Sequence, residues 1–261
     1  MLAKNLWQNA SMQGITPESQ AYMGSIVSEA FMEFDKHTLM PFYQKMNDAI
    51  RTESGRALAT GGNIYCSANF TSGIGRVKGP DGNPEPRQIY APHGYDSVVD
   101  SDNYENFSQE NVVALFADKR TTQERLQMPV IVGEWGAFPS KDFSNRLIDQ
   151  MNEILESYLW SSAYWQYLPG MEEDKNYSAL KRAYPAWTDG VLKSYHYDRQ
   201  KKQFQVSWTG KEVICYLPFM DYQFIGNGVL KTETVKKQQD SVYVKITSEQ
   251  AGEMSVVIRN K

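Results

Sequence analysis

Cysteine is almost missing from this chain: 261 residues contain two, Cys66 and Cys215. Two thiols build neither a disulfide framework nor a four-cysteine zinc site. Long apolar runs are missing too, and none approaches the about 18 residues of a membrane-spanning helix. Neither sign of charge dominates. Lys and Arg number 27 against 31 Asp and Glu, for a net charge of −4, which excludes a nucleic-acid binder relying on a broad cationic face. Met1-Leu-Ala-Lys-Asn-Leu-Trp7 has no apolar segment or small-residue cleavage site of a secretory signal. There is no metal-ligand spacing, no phosphate-cradling glycine loop and no Ser-His-Asp order. Of the three histidines, His37 opens a polar helix start and His196 alternates within a strand; both read as structural or exposed.

What is present suits a folded domain. Hydrophobic residues make up 41% of the chain, enough to build a core. Aromatics are abundant, with 16 Tyr, 11 Phe and 6 Trp, as in carbohydrate-contacting proteins and in β-rich cores alike.

Helix and strand alternate over the first part of the chain. Thr16-Pro17-Glu18-Ser19 offers an N-cap and a first-turn proline to a helix running to Glu33. Leu39, Phe42, Tyr43, Met46, Ala49 and Ile50 recur at helical spacing over 38–51. Further helices are expected over 110–127 and 143–159. Strands are expected at 63–68 (NIYCSA), 88–93 (QIYAPH), 128–134 (MPVIVGE) and 162–167 (SAYWQY). Such alternation points to parallel βαβ units, and apolar strands suit a sheet buried on both faces. After Tyr184-Pro185 the pattern changes to closely spaced short strands: 193–197, 203–208, 212–217, 229–235, 241–247 and 254–259. These read as a small antiparallel sandwich. The division is therefore 1–185 and 186–261.

Three features stand at successive strand ends, each about one βα unit from the next: His93-Gly94-Tyr95, Glu134-Trp135-Gly136 and Trp165. In a (β/α)₈ barrel such ends share the rim that carries active sites. Glu134 directly follows the apolar Pro129-Val-Ile-Val-Gly133, a costly place for a charge unless it faces a polar cleft. Tyr95 can hold it ionised by a hydrogen bond, and His93 can join that network or meet a sugar hydroxyl. Trp165 offers a flat platform for a sugar ring. Each has a plainer reading: a glutamate turned to solvent, a satisfied core histidine, a packed tryptophan.

Tyr90-Ala-Pro-His93-Gly-Tyr95, Val130-Ile-Val-Gly-Glu134-Trp135-Gly136 and Ala163-Tyr-Trp165-Gln166-Tyr167 together resemble glycoside hydrolase family 5. Within it, the helix Leu39-Met-Pro-Phe-Tyr-Gln-Lys-Met-Asn-Asp-Ala-Ile-Arg51 and the junction Arg182-Ala-Tyr-Pro185 are similar to the endoglycoceramidase-like branch. The resemblance implies an α/β fold, the C-terminal half of a (β/α)₈ TIM barrel followed by an antiparallel β-sandwich. It implies Glu134 as nucleophile, His93 and Tyr95 as its catalytic neighbours, and Trp165 and Trp135 as substrate contacts. It implies no cofactor, a β-linked oligosaccharide or glycosphingolipid as substrate, and a secreted or periplasmic setting.

The chain departs from that family at one place. The acid/base glutamate belongs to an Asn-Glu-Pro motif ending the fourth barrel strand, and no Asn-Glu-Pro occurs here. Glu85 precedes a proline but lies in the loop between the fifth and sixth strands. The expectation is a chain that starts after the fourth strand, with Met1 an internal start. The missing half barrel then comes from another chain, or the protein self-associates, or the fragment is poorly stable alone. Two other readings stay open: a non-catalytic carbohydrate-binding or scaffold remnant, and an unrelated α+β binding protein in which Glu134 is incidental.

Overall fold

The computed structural model describes residues 17–61, 71–100, 103–225 and 230–261. The chain divides into two compact units, residues 1–137 with 160–167, and residues 138–159 with 168–261.

The first unit opens with helix α1 (Pro17–Phe34), which continues through one π-helical turn, Asp35–Leu39, into α2 (Met40–Glu53). The two helices expected from the spacing are thus one. The wider turn tucks Asp35 inward, where its carboxylate accepts bonds from Ser72 Oγ at 2.7 Å and the Gly73 amide at 2.8 Å. Strands β1 (Leu58–Thr60), β2 (Gln88–Tyr90), β3 (His93–Gly94), β4 (Ile131–Gly136) and β5 (Ser161–Trp165) follow, with helix α3 (Gln109–Leu126) between β3 and β4. β1 pairs with β2, β3 with β4 and β4 with β5, all parallel. A parallel bridge from Tyr90 to Val130 links β2 to the start of β4. Sequence neighbours are therefore spatial neighbours, as in βαβ units. Helix α3 is capped by Ser108, whose Oγ accepts from the Asn111 amide, and it buries Val112, Leu115, Phe116 and Leu126. The strand expected at 63–68, with Cys66, lies outside the described residues.

The second unit contains α4 (Ser144–Ser157), the short α5 (Tyr177–Leu180) and strands β6 (Tyr184–Thr188), β7 (Val191–Asp198), β8 (Gln203–Leu217), β9 (Tyr222–Ile225), β10 (Leu230–Lys237) and β11 (Val242–Asn260). All the strand pairings are antiparallel. Four of the short strands expected from the sequence are halves of two long ones. β8 joins 203–208 to 212–217, and β11 joins 241–247 to 254–259. Each long strand bends in the middle. Gly210 has φ +143°, which side-chain-bearing residues rarely adopt, and the β8–β11 register shifts between Thr247 and Gly252.

The bend gives each long strand two sets of neighbours. The first half of β8 and second half of β11 lie between β7 and β9, and the other halves lie between β6 and β10. Phe204, Val206, Trp208, Val256 and Ile258 from one leaf share a buried cluster with Val213, Cys215, Leu217, Val244 and Ile246 from the other. The leaves therefore face each other across one core. Cys215 is fully buried and unbridged, and burial pushes its thiol up to about 12. Residues 226–229, between β9 and β10 in the sequence, lie outside the described residues.

Candidate active site

The site is set by strand register. His93 on β3 pairs with Glu134 on β4, and Gly136 on β4 pairs with Trp165 on β5. Because the strands are parallel, these residues gather at one rim, the carboxyl ends. Tyr95 lies one residue beyond β3, and its hydroxyl donates to Glu134 Oε2 at 3.0 Å. His93 Nδ1 is 3.4 Å from the same oxygen. The side chains of His93 and Glu134 are 38% and 33% exposed, so a solute can reach both. Trp165 is 44% exposed, which leaves its indole available to a ligand.

Trp135 is placed otherwise. It is 2% exposed and stands edge-on against Tyr164, ring centroids 5.2 Å apart. Successive strand residues face opposite ways, so the neighbour of a cleft-facing Glu134 turns into the core. Trp135, expected as a substrate contact, is packed against Tyr164 in this fold.

Several supports carried no clear signal in the sequence. A Cβ on Gly133 would stand 2.9 Å from His93 Nε2, so a larger residue there would push the imidazole aside. Asp96 accepts from the amides of Val98 and Ser108 at 2.9 and 3.3 Å and pins the loop after Tyr95. Tyr104 Oη donates to the Ala137 carbonyl at 3.2 Å, and the Ala137 amide donates to Trp165 O at 2.8 Å. Asp96 had a local cue, an acidic residue following His-Gly-Tyr. Tyr104 had none.

Glu85 belongs to a different region. It precedes β2, at the amino end of the parallel strands, whereas Glu134 stands at the carboxyl end. It is fully buried between Arg87 Nε at 2.7 Å and Arg51 Nε at 2.8 Å. Bonds from Arg87, then Arg51, outweigh its desolvation and hold its pKa down at about 2 instead of 4.5. Its contribution to stability is present above the unfolded value and is lost as pH falls through the folded one. Denaturant unfolding should therefore show stability declining between about pH 4.5 and about pH 2, and Glu85→Gln should remove part of that decline. An unchanged pH profile in Glu85→Gln would assign the acid sensitivity to other carboxylates.

Among the described residues, no group of three or more His, Cys, Asp or Glu side chains is arranged to hold a metal ion, and no helix is long and apolar enough to cross a membrane.

The cellulase family model, glycosyl hydrolase family 5, matches residues 17–170. No curated protein matches the chain. Among solved structures, endo-glycoceramidase II from Rhodococcus sp. is similar over 98% of this chain and 67% of its own, with TM-score 0.70 and 18% identity. A crystal structure of an endogalactoceramidase is similar over 84% of this chain and 52% of its own, with TM-score 0.56 and 15% identity. Cryptococcus neoformans sterylglucosidase 1 is similar over 87% and 45%, with TM-score 0.61 and 13% identity. The chain thus spans about two thirds or less of these proteins and shares their fold.

Proposed function

The chain belongs to the cellulase family, glycosyl hydrolase family 5, and from that premise we propose that it carries the nucleophile half of a retaining β-glycosidase acting on glycosphingolipids. The observation that carries the proposal is the accessible Glu134 carboxylate, held by Tyr95 Oη at the carboxyl rim of parallel strands. Retaining hydrolysis needs two carboxyl groups about 5–5.5 Å apart. One attacks the anomeric carbon and forms a glycosyl ester as the aglycone oxygen leaves. The other protonates that oxygen, then takes a proton from the water that cleaves the ester. Glu134 suits the first role. One Rhodococcus endo-glycoceramidase II structure is described as a lactosyl-enzyme intermediate, which agrees with ester formation in this fold. Trp165 supplies the platform beneath the sugar.

The proton donor, on this reading, is not among these 261 residues. No Asn-Glu-Pro is present, and Glu85 serves Arg51 and Arg87 at the other end of the strands. It comes with the first four barrel strands, from a partner segment or chain, and residues 186–261 form a separate β-sandwich domain. Tyr22, Ile26, Phe34, Phe42 and Met46 along α1 and α2 are exposed, an apolar stripe suited to such a partner. The fold shared with endo-glycoceramidase II and with the endogalactoceramidase supports a ceramide-linked glycan as the substrate.

The nucleophile can be tested without the donor, because a dinitrophenolate leaves unprotonated. A 2-deoxy-2-fluoro β-glycoside of dinitrophenol should form a stable ester, and peptide mass spectrometry should find the fluorosugar on Glu134. Label on another residue, or none on a folded chain, would overturn the proposal. Tyr95→Phe removes a hydrogen bond to a charged group, worth about 1.5–3 kcal/mol. It should slow labelling by about tenfold or more while leaving the far-UV circular dichroism unchanged.

A further inference from the structure

The second unit carries a cavity of about 230 Å³ lined by Ser178, Lys181, Tyr197, Arg199, Lys202 and Phe219, with Pro218. Its floor is apolar and largely buried: Tyr197 is 4% and Phe219 7% exposed. Its rim is cationic, with Lys181 at the end of α5 and Arg199 and Lys202 in the β7–β8 turn, while Pro218 and Phe219 come from the stretch after β8.

The three cations differ in freedom. Arg199 is fixed by Asp149, with Nε 3.1 Å from each carboxylate oxygen and Nη2 2.7 Å from Oδ2. Lys181 Nζ is held by Asp240. Lys202 sits at φ +47° in the turn, and its ammonium group makes no ion pair among the described residues. Behind the rim, Arg182 is matched by Glu156 and Asp149. Arg182, Arg199, Lys181 and Lys202 thus face Asp149, Glu156 and Asp240, which leaves one positive charge uncompensated.

One net positive charge over an aromatic floor, in a space the size of one sugar ring, defines a ligand: a pyranose bearing a single anionic group. We infer that this cavity binds an acidic sugar, with a carboxylate or sulfate ester at Lys202 and the ring against Tyr197 and Phe219. The inference rests on the glycan-processing reading above and adds to it a separate sugar site in the second unit. Arg199 and Lys181 are held in place beforehand by their carboxylates, so binding costs little side-chain ordering there. Lys202 supplies the free charge.

Amide NMR of the full chain tests this. The probes are methyl α-N-acetylneuraminate, galactose 3-sulfate, neutral methyl β-galactoside, and inorganic sulfate at matched ionic strength. One or both acidic sugars should give saturable shifts at Lys181, Arg199, Lys202 and Phe219 in the millimolar range, and which one does so separates carboxylate from sulfate ester. Lys202→Gln should weaken binding by about fivefold or more. Glu134→Gln should bind as the parent does, so failure here and failure of Glu134 labelling are separate results. Four outcomes overturn the site: no saturable shift with either acidic sugar, equal response to the neutral sugar, equal response to inorganic sulfate, or unchanged affinity in Lys202→Gln.

Discussion

Purified alone, the chain should release almost no oligosaccharide from a glycosphingolipid. Mixed or fused with a polypeptide carrying the first four strands of the barrel, it should turn over. A ceramide alkoxide is a poor leaving group and needs a proton as the bond breaks. A positioned acid contributes about 10²–10⁴-fold, and sugar contacts supplied along with it would add further transition-state binding. In the complemented enzyme, Glu134→Gln should reduce turnover by at least about 10⁴-fold, in line with removal of a covalent nucleophile. The measurement is oligosaccharide release by the chain alone, by the complemented pair and by the Glu134→Gln pair. Robust turnover by the lone chain would mean that an acid within these 261 residues serves Glu134. A complemented pair that folds and stays inactive would favour a sugar-binding or scaffold role.

Arg182→Met should destabilise the second unit by about 3–5 kcal/mol. Arg182 is 8% and Glu156 5% exposed. The guanidinium donates to Glu156 Oε1 through Nε and Nη2 at 3.0 and 2.8 Å, to Asp149 Oδ1 at 2.9 Å and to the Tyr197 carbonyl at 2.7 Å. Removing it leaves a buried carboxylate with only the Tyr197 amide at 3.2 Å and His196 Nδ1 at 3.0 Å. The double variant Arg182→Met, Glu156→Gln should recover much of the loss, because the orphaned charge is gone. Urea unfolding of the two single variants and the double completes the cycle. A loss below about 1 kcal/mol in Arg182→Met would show that His196 and Tyr197 suffice to hold Glu156.

The sequence disclosed the alternation of helix and strand and the gathering of His93, Tyr95, Glu134 and Trp165 at strand ends. Both depend on local patterns: apolar runs of strand length, and polar residues that interrupt them where the strand stops. It was silent where tertiary context decides. Leu58-Ala-Thr60 is a strand without a β-branched run, paired because β2 lies beside it. Tyr184-Pro185 reads as the point where the pattern changes, yet Pro185 sits in the β6 ladder opposite Cys215. The gaps expected at 209–211 and 248–253 lie instead within continuous strands. Trp135 was grouped with Glu134 by adjacency, although neighbouring strand residues diverge. The Lys181–Arg199–Lys202 rim had no sequence signature, since only the folded chain brings the end of α5 beside the β7–β8 turn.

The two bent strands have a further effect on how the molecule loosens. β8 and β11 each belong to both leaves, and their mutual pairing runs from Gln203–Arg259 at one end to Leu217–Val242 at the other. Neither leaf can detach without withdrawing half of each central strand from the shared core around Trp208 and Cys215. Amide protons of Phe204 and Val206 should therefore exchange with solvent deuterium on the same slow timescale as those of Val213 and Cys215, as members of one cooperative unit. The edge strands β9 and β10, each paired to one half of β11, are free to fray long before it opens.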